Sequence, residues 1–168
     1  MSDSCGCPPE AGAAMCRPPI TARPVRCPTN QQVGKVVDTL TVKAMLAVPL
    51  TQILPVEYRF CRDPNCPTVY YGTGLLQLFT EVDLRERVYQ KHFHEEDVFV
   101  CYCFQHTGQS IRTELQTTGK STVIEAINAG IQAGQCACDI RNPQGSCCLG
   151  NVRTVVQRLQ SELGIPPD

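Results

Sequence analysis

Twelve cysteines in 168 residues constrain this chain more than any other feature. They recur as close pairs, Cys5/Cys7, Cys101/Cys103, Cys136/Cys138 and Cys147/Cys148, with Cys16, Cys27, Cys61 and Cys66 set apart. An even count is compatible with a disulfide framework. Cysteines one or two positions apart, however, do not easily bond within the pair, given the Cα separation and dihedral that a disulfide requires. The pairs also flank helix-like segments, as metal-ligand sets do. The opening Met1-Ser2-Asp3-Ser4 lacks the basic and apolar regions of a secretory signal. No apolar run approaches the roughly 20 residues that cross a bilayer. The expectation is a cytoplasmic chain with reduced thiols that bind metal.

Hydrophobic residues make up 42% of the chain and charged residues 18%, which favours a folded state over wholesale disorder. The formal net charge is −1 and no basic run occurs, so a nucleic-acid partner is not expected, because duplex affinity depends on neutralising phosphates. Length leaves room for one ordinary domain or two small ones.

Three stretches follow along the chain. Residues 1–26 hold Pro8, Pro9, Pro18, Pro19 and Pro24 with no apolar period, the pattern of a flexible Cys/Pro-rich tail. Residues 27–97 read as a small β-rich α+β unit. A short helix is expected over 40–46, strands over 56–60, 68–71 and 75–79, and a polar helix near 82–88. Between the first two strands, Asp63-Pro64-Asn65 is turn chemistry. Residues 98–168 read as helical. Ile111 and Leu115 share a face that ends near Gly119. Thr122 and Glu125 have capping-box spacing ahead of Ile124, Ile127 and Ile131. The stretch 136–148 is expected to be a loop around Asn142-Pro143-Gln144-Gly145, and a last helix over 150–163 ends at Gly164. The fold class expected is α+β, a zinc-stapled β-rich unit followed by a helical cluster-binding unit.

The helical unit has the makings of an iron–sulfur site. A [2Fe–2S] cluster needs four thiolates held by short loops. Cys101-x-Cys103 precedes a helix, a spacer of about thirty residues returns the chain to Cys136, and Cys148 opens the final helix. There the free amides and the positive end of the helix dipole favour thiolate charge. The spacings of bacterial and plant-type ferredoxins are both absent.

The remaining pattern, C-x-C followed after the spacer by a second pair, resembles the bacterioferritin-associated ferredoxin family. The segments Val100-Cys101-Tyr102-Cys103-Phe104, Gln135-Cys136-Ala137-Cys138 and Asn142-Pro143-Gln144-Gly145-Ser146-Cys147-Cys148-Leu149-Gly150 sharpen the match. They resemble the N-terminal domain of the CopZ copper chaperones, over roughly residues 27–163. That resemblance implies a [2Fe–2S] cluster and a zinc ion. It carries over Cys101 and Cys103 as cluster ligands and favours Cys136 as the third and Cys148 as the fourth, with Cys138 and Cys147 as alternates. The two cysteines left over are structural, or a transient entry site for a soft ion such as Cu(I).

Cys61-x4-Cys66 has zinc-knuckle spacing between two strands, where a metal staples a hairpin too small to be stable alone. Cys27-Pro28 is the expected partner arm, but Asn30 stands where a Cys-Pro-x-Cys arm has its second cysteine. The fourth ligand is left to Cys16, Cys7 or Cys5, or to His92 or His94. The zinc is expected to be structural, since no catalytic open-site motif is present.

Thr117-Thr118-Gly119-Lys120-Ser121 mimics the end of a phosphate-binding loop, but its first glycine position is Glu114, so Gly119 reads as a helix stop. His106 is expected to face solvent near the cluster loop, and no catalytic triad or dyad is apparent. The functional expectation is a non-enzymatic, redox-active metal-handling protein, as resemblance to the copper chaperones implies, partnered by metal ions and a copper-transport or redox protein. The alternative is a one-electron carrier that docks on a redox partner without copper.

Overall fold

The computed structural model describes residues 26–75 and 77–166. Its first half is an antiparallel sheet of four short strands in the order β1 (Lys35–Val37), β2 (Tyr58–Phe60), β3 (Thr68–Gly72) and β4 (Leu78–Thr80). Register pairs Val36 with Arg59, Arg59 with Tyr71, and Tyr71 with Leu78. Strand β3 is buried along its whole length, as expected of a β-branched and aromatic run covered on both faces.

Alternation along β3 sends its two central tyrosines in opposite directions. Tyr70 joins Phe60, Tyr58, Phe79, Val42 and Leu46 in the sheet's main core. Tyr71 packs instead with Cys27, Cys61 and Cys66. Its hydroxyl accepts the Gly34 amide at 2.7 Å. Gly34 has to be glycine there, because a Cβ would come within 2.6 Å of that hydroxyl and 2.7 Å of the Phe60 carbonyl. Helix α1 (Thr39–Met45) starts at Asp38, whose carboxylate accepts the Leu40 amide at 2.7 Å, and it buries Thr41, Val42 and Met45.

The expected helix near 82–88 does not form. A single 3-10 turn covers Glu81–Asp83, with Val82 90% exposed, and Leu84 then bridges Leu46. The physical reason is that Leu84 and Val88 alone make a one-pair apolar face, while backbone bonds from Ala47 to Asp83 and from Arg85 to Met45 tie the segment to the end of α1. The expected strand over 75–79 is likewise displaced to Leu78–Thr80, because a 3-10 turn occupies Thr73–Leu75.

The second half opens with a two-stranded ribbon, β5 (Phe99–Cys101) and β6 (His106–Thr107), then α2 (Gly108–Thr118), α3 (Val123–Gln132), a single turn α4 (Cys138–Arg141) and α5 (Leu149–Leu163). Ile111, Leu115, Ile127, Val152, Val155 and Leu159 fill the core between α2, α3 and α5. Helix α2 ends at Gly119 in the left-handed region (φ 76°), with its amide on the Leu115 carbonyl, so the phosphate-loop mimic is a helix stop. The capping box expected at Thr122 is absent. Its hydroxyl bonds Glu114 at 2.6 Å instead, because the α2–α3 turn carries that carboxylate over the start of α3. No helix among the described residues is long and apolar enough to cross a membrane.

The molecule is therefore α+β, a sheet followed by helices. The loop between α4 and α5 is seated on the sheet. Tyr70 donates its hydroxyl hydrogen to the Pro143 carbonyl at 2.6 Å and Lys35 donates to the Gln144 carbonyl at 3.2 Å, while Thr41 of α1 bonds the Asp139 carbonyl of α4.

Candidate metal centres

The first sulfur group is built from two arms. One is the tight turn after Cys27, where the Cys27 amide meets the Gln32 carbonyl and Gln31 returns to the Cys27 carbonyl, both at 2.8 Å. The other is the knuckle between β2 and β3. There the Cys61 amide bonds the Val69 carbonyl, and the Asp63 carboxylate accepts the Asn65 amide at 2.9 Å. The sulfurs of Cys27, Cys61 and Cys66 all lie within 4.8 Å of one another, and all three residues are buried. Cys27 and Cys66 approach to 3.8 Å.

Burial disfavours the Cys27 thiolate, but the amides of Asn30 and Thr29, with the neighbouring thiols, outweigh it and lower its pKa. Burial pushes the Cys61 thiol up to about 11, against the opposing pull of the Asp63 amide and the Lys91 ammonium. Three buried thiols that must share few charges are a poor arrangement for protons and a good one for a divalent ion, which replaces them. The donor set fits zinc.

Asn30 is not placed as a ligand. Its carboxamide nitrogen donates to the Asp63 carboxylate at 2.8 Å and faces the Cys61 sulfur at 3.5 Å, while its oxygen accepts the Gln32 amide at 3.0 Å. That hydrogen-bond pattern aims N–H, not oxygen, at the sulfurs. His92 is occupied as well, with one ring nitrogen 2.7 Å from Glu95 and the other 2.5 Å from Glu81. The His94 ring lies against Phe93, tilted by 44° with centroids 3.9 Å apart. Cys5, Cys7 and Cys16 lie outside the described residues. Among the described residues the group has three ligand atoms.

The second sulfur group draws on three loops. Cys101 ends β5, Cys103 lies in the following turn, Cys136 and Cys138 lead into α4, and Cys148 is the residue before α5. The sulfurs of Cys103, Cys136 and Cys138 lie within 4.8 Å of each other, with Cys138 at 3.4 Å from Cys136 and 3.7 Å from Cys103. Cys138 shares the buried helical core with Cys148 and Cys101, and Cys148 acts on the titration of both. Cys138 is thus the sulfur that joins the two halves of the group.

The protonation pattern follows from these contacts. The Cys148 thiol, donating toward both neighbours, lowers Cys138 to about 5 and Cys101 to about 7, in each case against burial. Cys148 itself is driven strongly up by the same two bonds. Burial raises Cys103 to about 12, although the Ala137 amide 3.4 Å from its sulfur opposes this. Burial raises Cys136 as well. Five soft sulfurs with amide donors and little water fit an iron–sulfur cluster or another thiophilic metal. Cys147 stands apart. It is exposed, and its sulfur accepts the Leu149 amide at 3.5 Å.

The sequence reading takes the stretch 136–148 as loop and misses the turn α4, which begins at Cys138 and buries it. The signal was weak, since a four-residue turn has no periodicity to read. His106, expected to face solvent, is half-buried opposite Cys101 in the β5–β6 ribbon, and burial lowers its pKa while Glu114 pulls the other way. Tyr102, between two cysteines, is buried with its hydroxyl bonded to Arg87 and Tyr89.

Comparison with known proteins places these sites in context. Residues 24–85 match the zf_CopZ family model, described as a zinc binding domain, and that range contains Cys27, Cys61 and Cys66. No curated protein sequence matches. The X-ray structure of the Archaeoglobus fulgidus CopZ N-terminal domain matches with a TM-score of 0.61 and 29% identity, over 85% of this chain and 100% of that one. In sheet, helices and order of the two halves, the chain has a CopZ N-terminal-like fold.

Proposed function

We propose that this protein holds a structural zinc ion at Cys27, Cys61 and Cys66 and a [2Fe–2S] cluster at Cys101, Cys103, Cys138 and Cys148, and that it handles metal as a redox-active accessory protein rather than as an enzyme. The observation that carries the reading is the gathering of the Cys103, Cys136 and Cys138 sulfurs within 4.8 Å of one another, with Cys101 and Cys148 from the neighbouring segments in the same buried cluster, beside the start of α5. Likeness to a CopZ domain supports a metal-handling role. Of the candidates for third ligand, the geometry favours Cys138, which touches sulfurs on both sides and is buried, over the half-buried Cys136. Cys147 faces outward and is left as a free thiol.

When bound, the cluster supplies one-electron exchange. The chain's own residues set its surroundings. Before metal enters, the Cys148 side chain favours the thiolate forms of Cys138 and Cys101, the Ala137 amide donates to Cys103, and Tyr102, between two of the ligands, is buried. One electron passed to Cu(II) from a reduced cluster, which is thereby oxidised and is reduced again by an electron-donor protein, yields Cu(I), a cargo that suits the exposed Cys147 thiol and the half-buried Cys136.

Metal analysis after anaerobic purification tests this. The reading expects two irons, two acid-labile sulfides and one zinc per chain, with visible absorption; a colourless, folded, iron-free protein sinks it. Cys138→Ala is expected to lose the cluster and Cys136→Ala to keep it, and the reverse result reassigns the third ligand. A Cu(I) titration against a chelator then separates the roles. Binding no tighter than to free thiols removes copper and leaves a one-electron carrier docking on a redox partner.

A further inference from the structure

Between the two sulfur groups runs a single 3-10 turn, Tyr89–Lys91, and its three residues reach three different ligand loops. Lys91 donates to the Asp63 carbonyl at 2.6 Å, inside the knuckle between Cys61 and Cys66. Gln90 donates to the Gln144 side chain at 2.5 Å, and Gln144 in turn donates to the Cys147 carbonyl at 2.9 Å, in the loop between Cys138 and Cys148. The Tyr89 amide donates to the Tyr102 hydroxyl at 2.9 Å, and that hydroxyl donates to the Arg87 carbonyl at 2.8 Å, pinning the turn between Cys101 and Cys103. The same cluster loop is held a second time by Tyr70, four residues beyond Cys66 on β3, through the Pro143 carbonyl.

We propose that the turn Tyr89–Lys91 and the Tyr70 hydroxyl link the two metal sites, so that an ion in the knuckle strengthens retention of the cluster. The inference rests on the two-site reading above. A filled knuckle fixes the Asp63 carbonyl, and with it Lys91 and the turn. The turn then holds both cluster loops in the arrangement in which their sulfurs converge. An empty knuckle frees Asp63, and the loops lose a common anchor. By the reciprocity of linkage, a filled cluster site must tighten zinc binding by the same free energy that zinc adds to cluster binding.

The test uses the full chain carrying both metals. Zinc is withdrawn with a zinc-selective chelator, and cluster loss to a fixed concentration of an iron chelator is followed by visible absorbance and circular dichroism. Zinc-depleted protein is expected to lose its cluster about fivefold faster, the lower end of ordinary coupling between sites. Lys91→Met touches no cluster loop, yet with zinc still bound it is expected to move the rate most of the way to the zinc-free value, leaving to zinc removal only the share carried by Tyr70, while Lys91→Arg restores the slow rate. Gln90→Ala, on the other side of the turn, is expected to behave as Lys91→Met does. A preparation lacking either metal overturns the two-site reading and the linkage together. One that holds both metals but loses its cluster at a rate indifferent to zinc and to Lys91 overturns the linkage alone.

Discussion

Asn30 shows how one side chain can change a metal site without disturbing its frame. Its carboxamide ties the Cys27 arm to the knuckle through Asp63 and directs an N–H at the Cys61 sulfur, where a thiolate would complete a tetrahedron. Asn30→Cys is therefore expected to tighten zinc retention on the order of tenfold, read by competition with a chromogenic chelator, because a fourth thiolate outweighs the lost hydrogen bonds. Unchanged retention would mean that the fourth position is already filled by a thiolate, and serine at Cys5, Cys7 and Cys16 would then weaken binding. His92 gives a second expectation at this scale. Burial works against its charged form, but Glu81 and Glu95 on its two ring nitrogens raise its pKa above the ordinary 6.5. A raised folded pKa stabilises fully below the unfolded value and loses that contribution as pH rises through the folded one. Chemical denaturation across that window should show stability falling upward in pH, and His92→Gln should flatten the slope. Residue identities made the meeting of Cys27 with Cys61 and Cys66 legible in the sequence, since Cys-x4-Cys around Asp-Pro-Asn is local chemistry. The double pairing of His92 was not legible, because Glu81 lies eleven residues away on a turn that no pattern announced.

Elements with a clear period were the readable ones. Helices α2, α3 and α5 fall where apolar spacing placed them, and each ends at or within two residues of a glycine of positive φ. What the period could not supply was α4, too short to have one, and the extended course of residues 84–88, set by backbone bonds to the end of α1. Helix α3 also holds a packing detail that sequence hides. Gly130 is buried mid-helix, and a Cβ there would run into the Phe104 ring, next to Cys103. Glycine to alanine ordinarily helps a helix by up to about 1 kcal/mol. Here the ring must move, so Gly130→Ala is expected to cost about 1–3 kcal/mol as overpacking does. The denaturant midpoint checks it, and a rise in stability would show that Phe104 moves aside freely.

Across the whole molecule, the sheet and the helices each have their own apolar core, and the two sulfur groups sit differently against them. Cys101, Cys138 and Cys148 belong to the helical core, which is twelve buried residues strong, whereas Cys27, Cys61 and Cys66 share a pocket of four with Tyr71. A site with so little apolar support draws most of its stability from the ion itself. Stripping zinc should therefore loosen the knuckle and the strand it feeds far more than the helices. Amide exchange makes this measurable. Exchange is expected to speed up from Cys61 to Tyr71, where the Cys61 amide and the β2–β3 ladder depend on the knuckle. It should speed up next in residues 139–146, whose carbonyls are held by Thr41, Tyr70 and Lys35 from the sheet side. Helix α3, which makes no such bond to the sheet and buries Val123 and Ile127 against α5, should keep its protection. Uniform acceleration through α3 would mean that the two cores unfold as one cooperative body, and that the division into a sheet half and a helical half has no thermodynamic reality.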